Sequence, residues 1–79
     1  MKNKIFRLLQ ELSGKEKVCE EDSLQFDLTL DSLGLVTLLI QIEEKFDVRL
    51  KESDMDPFAL TSVSDVIRLV EKYIGDKDG

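Results

Sequence analysis

The stretch from Ser32 to Phe46 constrains this chain more than any other. At roughly 100° per residue, Leu35, Leu38, Leu39, Ile42 and Phe46 fall on one side of a helix. That stripe is wide enough to face a core. Leu33, Val36 and Ile40 form a second stripe over the opposite flank. A helix that is apolar all round is usually fully buried, yet a chain of 79 residues has little material with which to surround one. The alternative is that the first stripe faces the core while the second stays at the surface and meets a partner. Ser32 opens this helix behind a short apolar approach, Leu28 and Leu30. A serine there is a favoured N-cap, because its hydroxyl can accept from an orphan backbone N–H of the first turn.

The remaining bounds are simple. Seventy-nine residues make one small domain, spanning 1–79. Such a chain buries roughly 60% of its unfolded surface, and Cys19 is its only cysteine, so no disulfide helps. No apolar run is long enough for a membrane span. Lys and Arg interrupt the N-terminus before a signal-peptide core can form. The expectation is a cytoplasmic protein with no membrane insertion. A net charge of −6 argues against nucleic acid and favours basic protein partners. Acidity also simply keeps a small domain soluble. Histidine is absent, which removes the usual general base for a serine or cysteine nucleophile. One cysteine and no histidine leave no zinc site.

Along the chain, Ile5, Leu8, Leu9 and Leu12 follow the helical pattern over Lys2–Leu12, and Gly14 is placed to cap its end. Residues Lys15 to Thr29 read as a long connection, which Val18, Leu24, Phe26 and Leu28 must tie down. Cys19 lies there beside three acids, an unreactive setting for a thiol, and is read as incidental or packed. After the central helix, Val48 and Leu50 turn inward while Arg49 and Lys51 stay wet. Asp54-Met55-Asp56 lacks the ligand spacing, glycine and distal Glu of a calcium loop. Pro57 suits the start of a short third helix. Ser62 and Asp65 read as a capping box for a last helix with Val63, Val66, Ile67, Val70 and Ile74 on its apolar side. Gly75 is expected to end that helix, with residues 75–79 a flexible tail. The fold class is therefore all-α, three main helices plus one short one.

Leu28-Thr29-Leu30-Asp31-Ser32-Leu33-Gly34, followed by Glu43-Glu44-Lys45-Phe46-Asp47, resembles the phosphopantetheine-attachment region of acyl and peptidyl carrier proteins. Leu24, Asp27 and Leu28 match the L-x-x-D-L segment of the family's first loop, although Thr29 stands where a glycine is common. The resemblance covers nearly the whole chain and implies an acyl-carrier-protein-like bundle. It also implies that Ser32 is esterified by 4′-phosphopantetheine, donated by coenzyme A, whose thiol carries acyl groups as thioesters. Asp31 resembles the acid that assists this modification. The partners implied are a phosphopantetheinyl transferase and the enzymes that load and process the cargo. The chain is expected to act as a monomer and not as an enzyme.

The residues agree with that role. The modified hydroxyl must be exposed at a helix start, and a phosphodiester there is favoured by the helix dipole and free N–H groups. Leu33, Val36, Ile40 and Glu44 are the expected partner surface. Gly34 and Thr37 occupy positions that often carry acids in fatty-acid carriers, Gln41 is neutral, and Lys45 interrupts the acidic run. The early helix is thus more apolar than electrostatic. Fatty-acid, polyketide and related specialised pathways remain open, as do aminoacyl or peptidyl carriers of the nonribosomal peptide or D-alanyl type. An unmodified helical adaptor is the alternative of another class. An esterase is remote, since the chain has no histidine and Leu30 where such triplets carry glycine.

Overall fold

A computed structural model describes the backbone of residues 2–78 and the side chains of residues 2–74. Three α-helices follow in order: α1 (Lys2–Ser13), α2 (Ser32–Phe46) and α3 (Val63–Asp78). Two 3-10 turns, Glu52–Asp54 and Pro57–Ala59, lie between α2 and α3. No strand forms among the described residues, where a single pair, Ser23 and Ser62, makes an isolated antiparallel bridge. The all-α expectation holds. The short helix at Pro57 is a 3-10 turn whose N-cap, Asp56, accepts from the Phe58 N–H at 3.0 Å.

The core is aliphatic. Ile5, Leu8 and Leu9 enter it from α1, and Leu35, Leu38, Leu39 and Ile42 from α2. Val63, Val66, Ile67 and Val70 enter from α3. Each fully buried side chain of this kind contributes about 1.5–3 kcal/mol. The α2 helix packs against α1 and the second 3-10 turn, and α1 also packs against α3. Gly14 closes α1 in the left-handed region (φ +76°), its N–H reaching the Gln10 carbonyl at 2.9 Å.

The long connection after α1 is a structural part of the bundle. Leu24, Leu28 and Leu30 are buried, Val18 is half-buried, and the Asp27 carboxylate accepts from Ser23 N–H at 2.7 Å. The connection also serves α3. Val63 N–H donates to the Asp22 carbonyl and Ser64 N–H to the Glu20 carbonyl, both at 3.0 Å, while Leu24 N–H donates to the Thr61 carbonyl at 2.9 Å. These bonds pair backbone donors that a helix start otherwise leaves without partners.

Several expectations change here. Phe26 does not tie the connection down: it is 84% exposed. Residues 24–27 form a tight turn in which Leu24 and Leu28, four apart, face the core, and a residue two positions from each points the other way. Cys19 is exposed, which removes the packed reading and leaves the incidental one. The capping box at α3 forms only in half. Asp65 accepts from Thr61 and Ser62 N–H at 3.0 and 3.1 Å, but the Ser62 hydroxyl pairs with that of Ser64 at 2.9 Å. The carbonyls of Asp22 and Glu20 have taken the first-turn donors. The α3 helix runs on to Asp78 instead of ending at Gly75, since an internal glycine costs only about 1 kcal/mol. The 3-10 turn at Glu52–Asp54 was not foreseen.

Thr29 lies in the left-handed region (φ 56°), with its hydroxyl donating to the Leu28 carbonyl at 2.6 Å. A β-branched residue is strained there, by about 1–2 kcal/mol. Glycine accepts the same φ but loses more chain entropy on folding. Thr29→Gly should therefore raise stability by up to about 1 kcal/mol in urea unfolding; a loss would show that the hydroxyl bond outweighs the strain.

A polar clasp fixes the first 3-10 turn to α3. The Tyr73 hydroxyl donates to Asp54 and accepts from Lys51 N–H at 2.9 Å, and Lys72 bridges Asp54 at 3.1 Å. The Tyr73 hydroxyl, and then Lys72, hold the Asp54 carboxyl below its ordinary value of 3.8. Burial pushes Asp65 up, but the N–H groups of Ser62 and Thr61, with Arg68, outweigh it and leave its value lowered. Burial and the Asp54 bond raise Tyr73 above 10.0. The two lowered carboxyls stabilise the fold above their unfolded values, and that contribution is lost as pH falls through the folded ones. The raised phenol does the reverse, stabilising below pH 10.0 and losing this as pH rises. Thermal melts should fall at both extremes, and Asp54→Asn should flatten the acid limb.

Candidate functional site

The start of α2 is built by Asp31, not by Ser32. Asp31 has extended backbone (φ −88°, ψ −174°), and its Oδ1 accepts from Gly34 N–H at 2.8 Å. Its carbonyl accepts from Leu35 N–H at 2.9 Å. Ser32 is the first helical residue and is exposed. The N-cap expected at Ser32 is thus shifted by one position. A carboxylate reaches the third residue's N–H as well as a hydroxyl does, and it suits the positive end of the helix dipole better.

This shift has a chemical consequence. Ser32 has no capping duty, so its hydroxyl can be esterified without opening the helix. Gly34 helps, because a Cβ there would come within 3.3 Å of Asp31 Oδ1 and 3.4 Å of Leu30 Cδ2. Its absence lets the cap close tightly over the first turn. An anion carried on Ser32 would lie at a helix N-terminus, a favourable place for it.

The two α2 stripes separate as their angles require. Leu35, Leu38, Leu39 and Ile42 are buried and Phe46 is half-buried. Leu33 is 72% exposed, Val36 37% and Ile40 44%. Ser32, Leu33, Val36 and Ile40 therefore share one open face. Glu44 is also exposed but stands apart, about 18 Å along the axis from Ser32 at 1.5 Å per residue.

The acidic motif at the end of α2 is partly structural. Glu43 Oε2 accepts from Leu50 N–H at 2.9 Å, which ties the following connection back to the helix. Asp47 closes the helix in the left-handed region (φ 52°), its N–H bonding the Glu43 carbonyl. Reading the sequence alone missed Glu43 and the capping role of Asp31. The aspartate before the helical pattern, with an N–H three residues on, was the available signal for the cap. No local pattern announces a side chain bonding a backbone seven residues away.

The caps make a direct prediction. Asp31→Ala should cost about 1 kcal/mol of stability. Ser32→Ala should stay within about 0.5 kcal/mol, as exposed positions usually do. Urea unfolding of both variants checks this, and a larger loss for Ser32→Ala would return the cap to the serine.

Residues 3–70 match the family model described as "Phosphopantetheine attachment site". An acyl carrier protein of Thermotoga maritima is 32% identical, the match covering 92% of this chain and 90% of that protein. An acyl carrier protein of Buchnera aphidicola is 29% identical over 94% and 95% of the two chains. A meromycolate extension acyl carrier protein of Mycobacterium leprae is 31% identical over 86% of this chain and 59% of its own length. Family model, full-length relatives and helical fold agree on a carrier with covalent 4′-phosphopantetheine, acted on by biosynthetic enzymes rather than catalysing a reaction itself. This chain belongs to the phosphopantetheine-attachment family of acyl carrier proteins.

Proposed function

We propose that Ser32 bears the 4′-phosphopantetheine and that the chain presents acyl intermediates to the enzymes of fatty-acid, polyketide or related specialised biosynthesis. One observation carries this: Ser32 is exposed at the first position of α2 while Asp31 makes the cap. The residue sits at a capped helix start, open to an enzyme, and its hydroxyl is free to become an ester. In the transfer, Ser32 Oγ displaces at the pantetheine-linked phosphorus of coenzyme A. The diphosphate bond breaks, the adenosine bisphosphate leaves, and the serine proton passes to a base of the transferase. Once attached, the arm supplies a thiol that holds the acyl group as a thioester.

The chain's own residues contribute position. Asp31 fixes the helix start through Oδ1 and, as the residue next to Ser32, supplies the carboxylate that assists the transfer. Leu33, Val36 and Ile40 offer the transferase and the loading enzymes a surface beside the hydroxyl, with Glu44 at its far end. The protein works as a cytoplasmic monomer in this reading. No helix among the described residues is long and apolar enough to cross a membrane, which is consistent with that setting.

Incubation with coenzyme A and a broad-specificity transferase should add one phosphopantetheine group, measured by intact mass. Ser32→Ala should abolish the addition while circular dichroism stays helical. Modification of the alanine variant would move the site elsewhere. No addition to the unchanged protein would favour an unmodified adaptor.

A further inference from the structure

Where α1 meets the end of α2, the local charge is opposite to that of the whole protein. Seventeen acidic residues outnumber eleven basic ones in the chain. Yet Lys4, Arg7 and Lys45 gather around one cavity of about 190 Å³, with the buried Leu8 in its wall and Glu11 as its single carboxylate. Lys4, Arg7 and Glu11 share a face of α1 through their spacing of three and four residues. Lys45 reaches the same cavity from the last turn of α2. Three cations against one acid leave the cavity a local charge of +2.

These cations lack the partners that others in the chain have. Lys2 pairs with Glu20, Arg68 with Asp65 and Lys72 with Asp54. Among the described residues Lys4, Arg7 and Lys45 make no ion pair, with Glu11 or any other acid. Lys4 is held instead by an aromatic ring: its Nζ stands 5.6 Å from the centre of Phe46, the residue after Lys45. A ring face attracts an ammonium without neutralising it, so Lys4 is drawn toward Lys45 with its charge uncompensated. Like charges gathered in this way repel. A bound anion relieves the repulsion and accepts from several charged donors at once. The size of the cavity selects the anion. A local charge of +2 is matched by one compact dianion, and the volume is about six times that of a water molecule in the liquid, room for a single tetrahedral group. An extended acidic peptide sets successive carboxylates of one face about 7 Å apart, as wide as the whole cavity.

We propose that Lys4, Arg7 and Lys45 form a binding site for a phosphate dianion, either free or as the phosphate of a nucleotide. Arg7 presents the planar fork that matches phosphate oxygens, and Lys4 and Lys45 add point charges. Glu11 opposes the anion and so limits the affinity. The site is independent of the attachment reading. Lys45 lies thirteen residues beyond Ser32, about 20 Å along α2. A phosphate held there leaves the Ser32 hydroxyl and the open face beside it untouched.

Titration of the full chain with inorganic phosphate, followed through its backbone amide NMR signals at an ionic strength held constant with chloride, tests the site. Signals around Lys4, Arg7 and Lys45 should shift and saturate. Arg7→Gln and Lys45→Gln should each weaken binding by about fivefold or more, the effect of one unit charge near 4 Å in water. Glu11→Gln should tighten it. Lys17→Gln, an exposed cation in the first connection, should leave affinity within about twofold. All of these side chains are exposed, so circular dichroism should stay helical throughout. Adenosine 3′,5′-bisphosphate serves as a second probe and identifies the source. Tighter binding through the same residues assigns the site to a nucleotide phosphate, and equal or weaker binding assigns it to free phosphate. Shifts that chloride reproduces, a titration without saturation, or unchanged affinity in the Arg7 and Lys45 variants would overturn the proposal. Saturation by an aspartate-rich peptide but not by phosphate would overturn it as well, and would make the cavity a protein-docking surface.

Discussion

The burial of one face of α2 holds this small domain together. Leu35, Leu38, Leu39 and Ile42 are fully enclosed, and residues of α1, the first connection and α3 surround them in the same core. With no disulfide and a short chain, this aliphatic contact must offset most of the chain entropy lost on folding. Everything else is arranged so that this face stays dry and the opposite face stays open.

The first connection is what allows a three-helix chain to enclose that face. Its buried leucines complete the core, while its carbonyls receive the N–H groups that open α3. One segment thus supplies apolar surface and backbone pairing together. The strained Thr29 lies at its end, just before Leu30 and Asp31, where the chain turns into α2. The second connection is lighter. Its 3-10 turns bury none of their own residues, and Tyr73, Lys72 and Asp54 fix it to α3 by polar contacts.

Function follows from a division of labour at one helix end. Asp31 satisfies the backbone, and the adjoining Ser32 is left free of capping duty for the role proposed for it. A serine that capped the helix would lose its cap on modification, at about 1 kcal/mol. Moving the cap one residue upstream separates stability from modification. The exposed leucine, valine and isoleucine beyond it would be a liability in an isolated protein, but in the proposed role they give partner enzymes a surface to grasp.

Much of this was legible in the residues. The angular split of α2 predicted which leucines are enclosed and which stripe is open, because the positions of side chains around a helix depend only on its period. The D-S-L motif marked the start of α2, where the proposed attachment site lies, and Gly14 and Pro57 marked their turns through local backbone preference. Other features needed the tertiary structure. Phe26 reads as an anchor but faces solvent, since its turn places Leu24 and Leu28 inward. The Ser62 hydroxyl reads as a cap, but the carbonyls of Asp22 and Glu20, far upstream in the first connection, had taken the α3 donors. Glu43 reads as part of an acidic run but binds Leu50 N–H. Sequence by itself determined the helices and their faces, which arise from interactions within a few residues. The tertiary structure decided which donors met which acceptors, because that depends on which distant segments packing brings within hydrogen-bond reach.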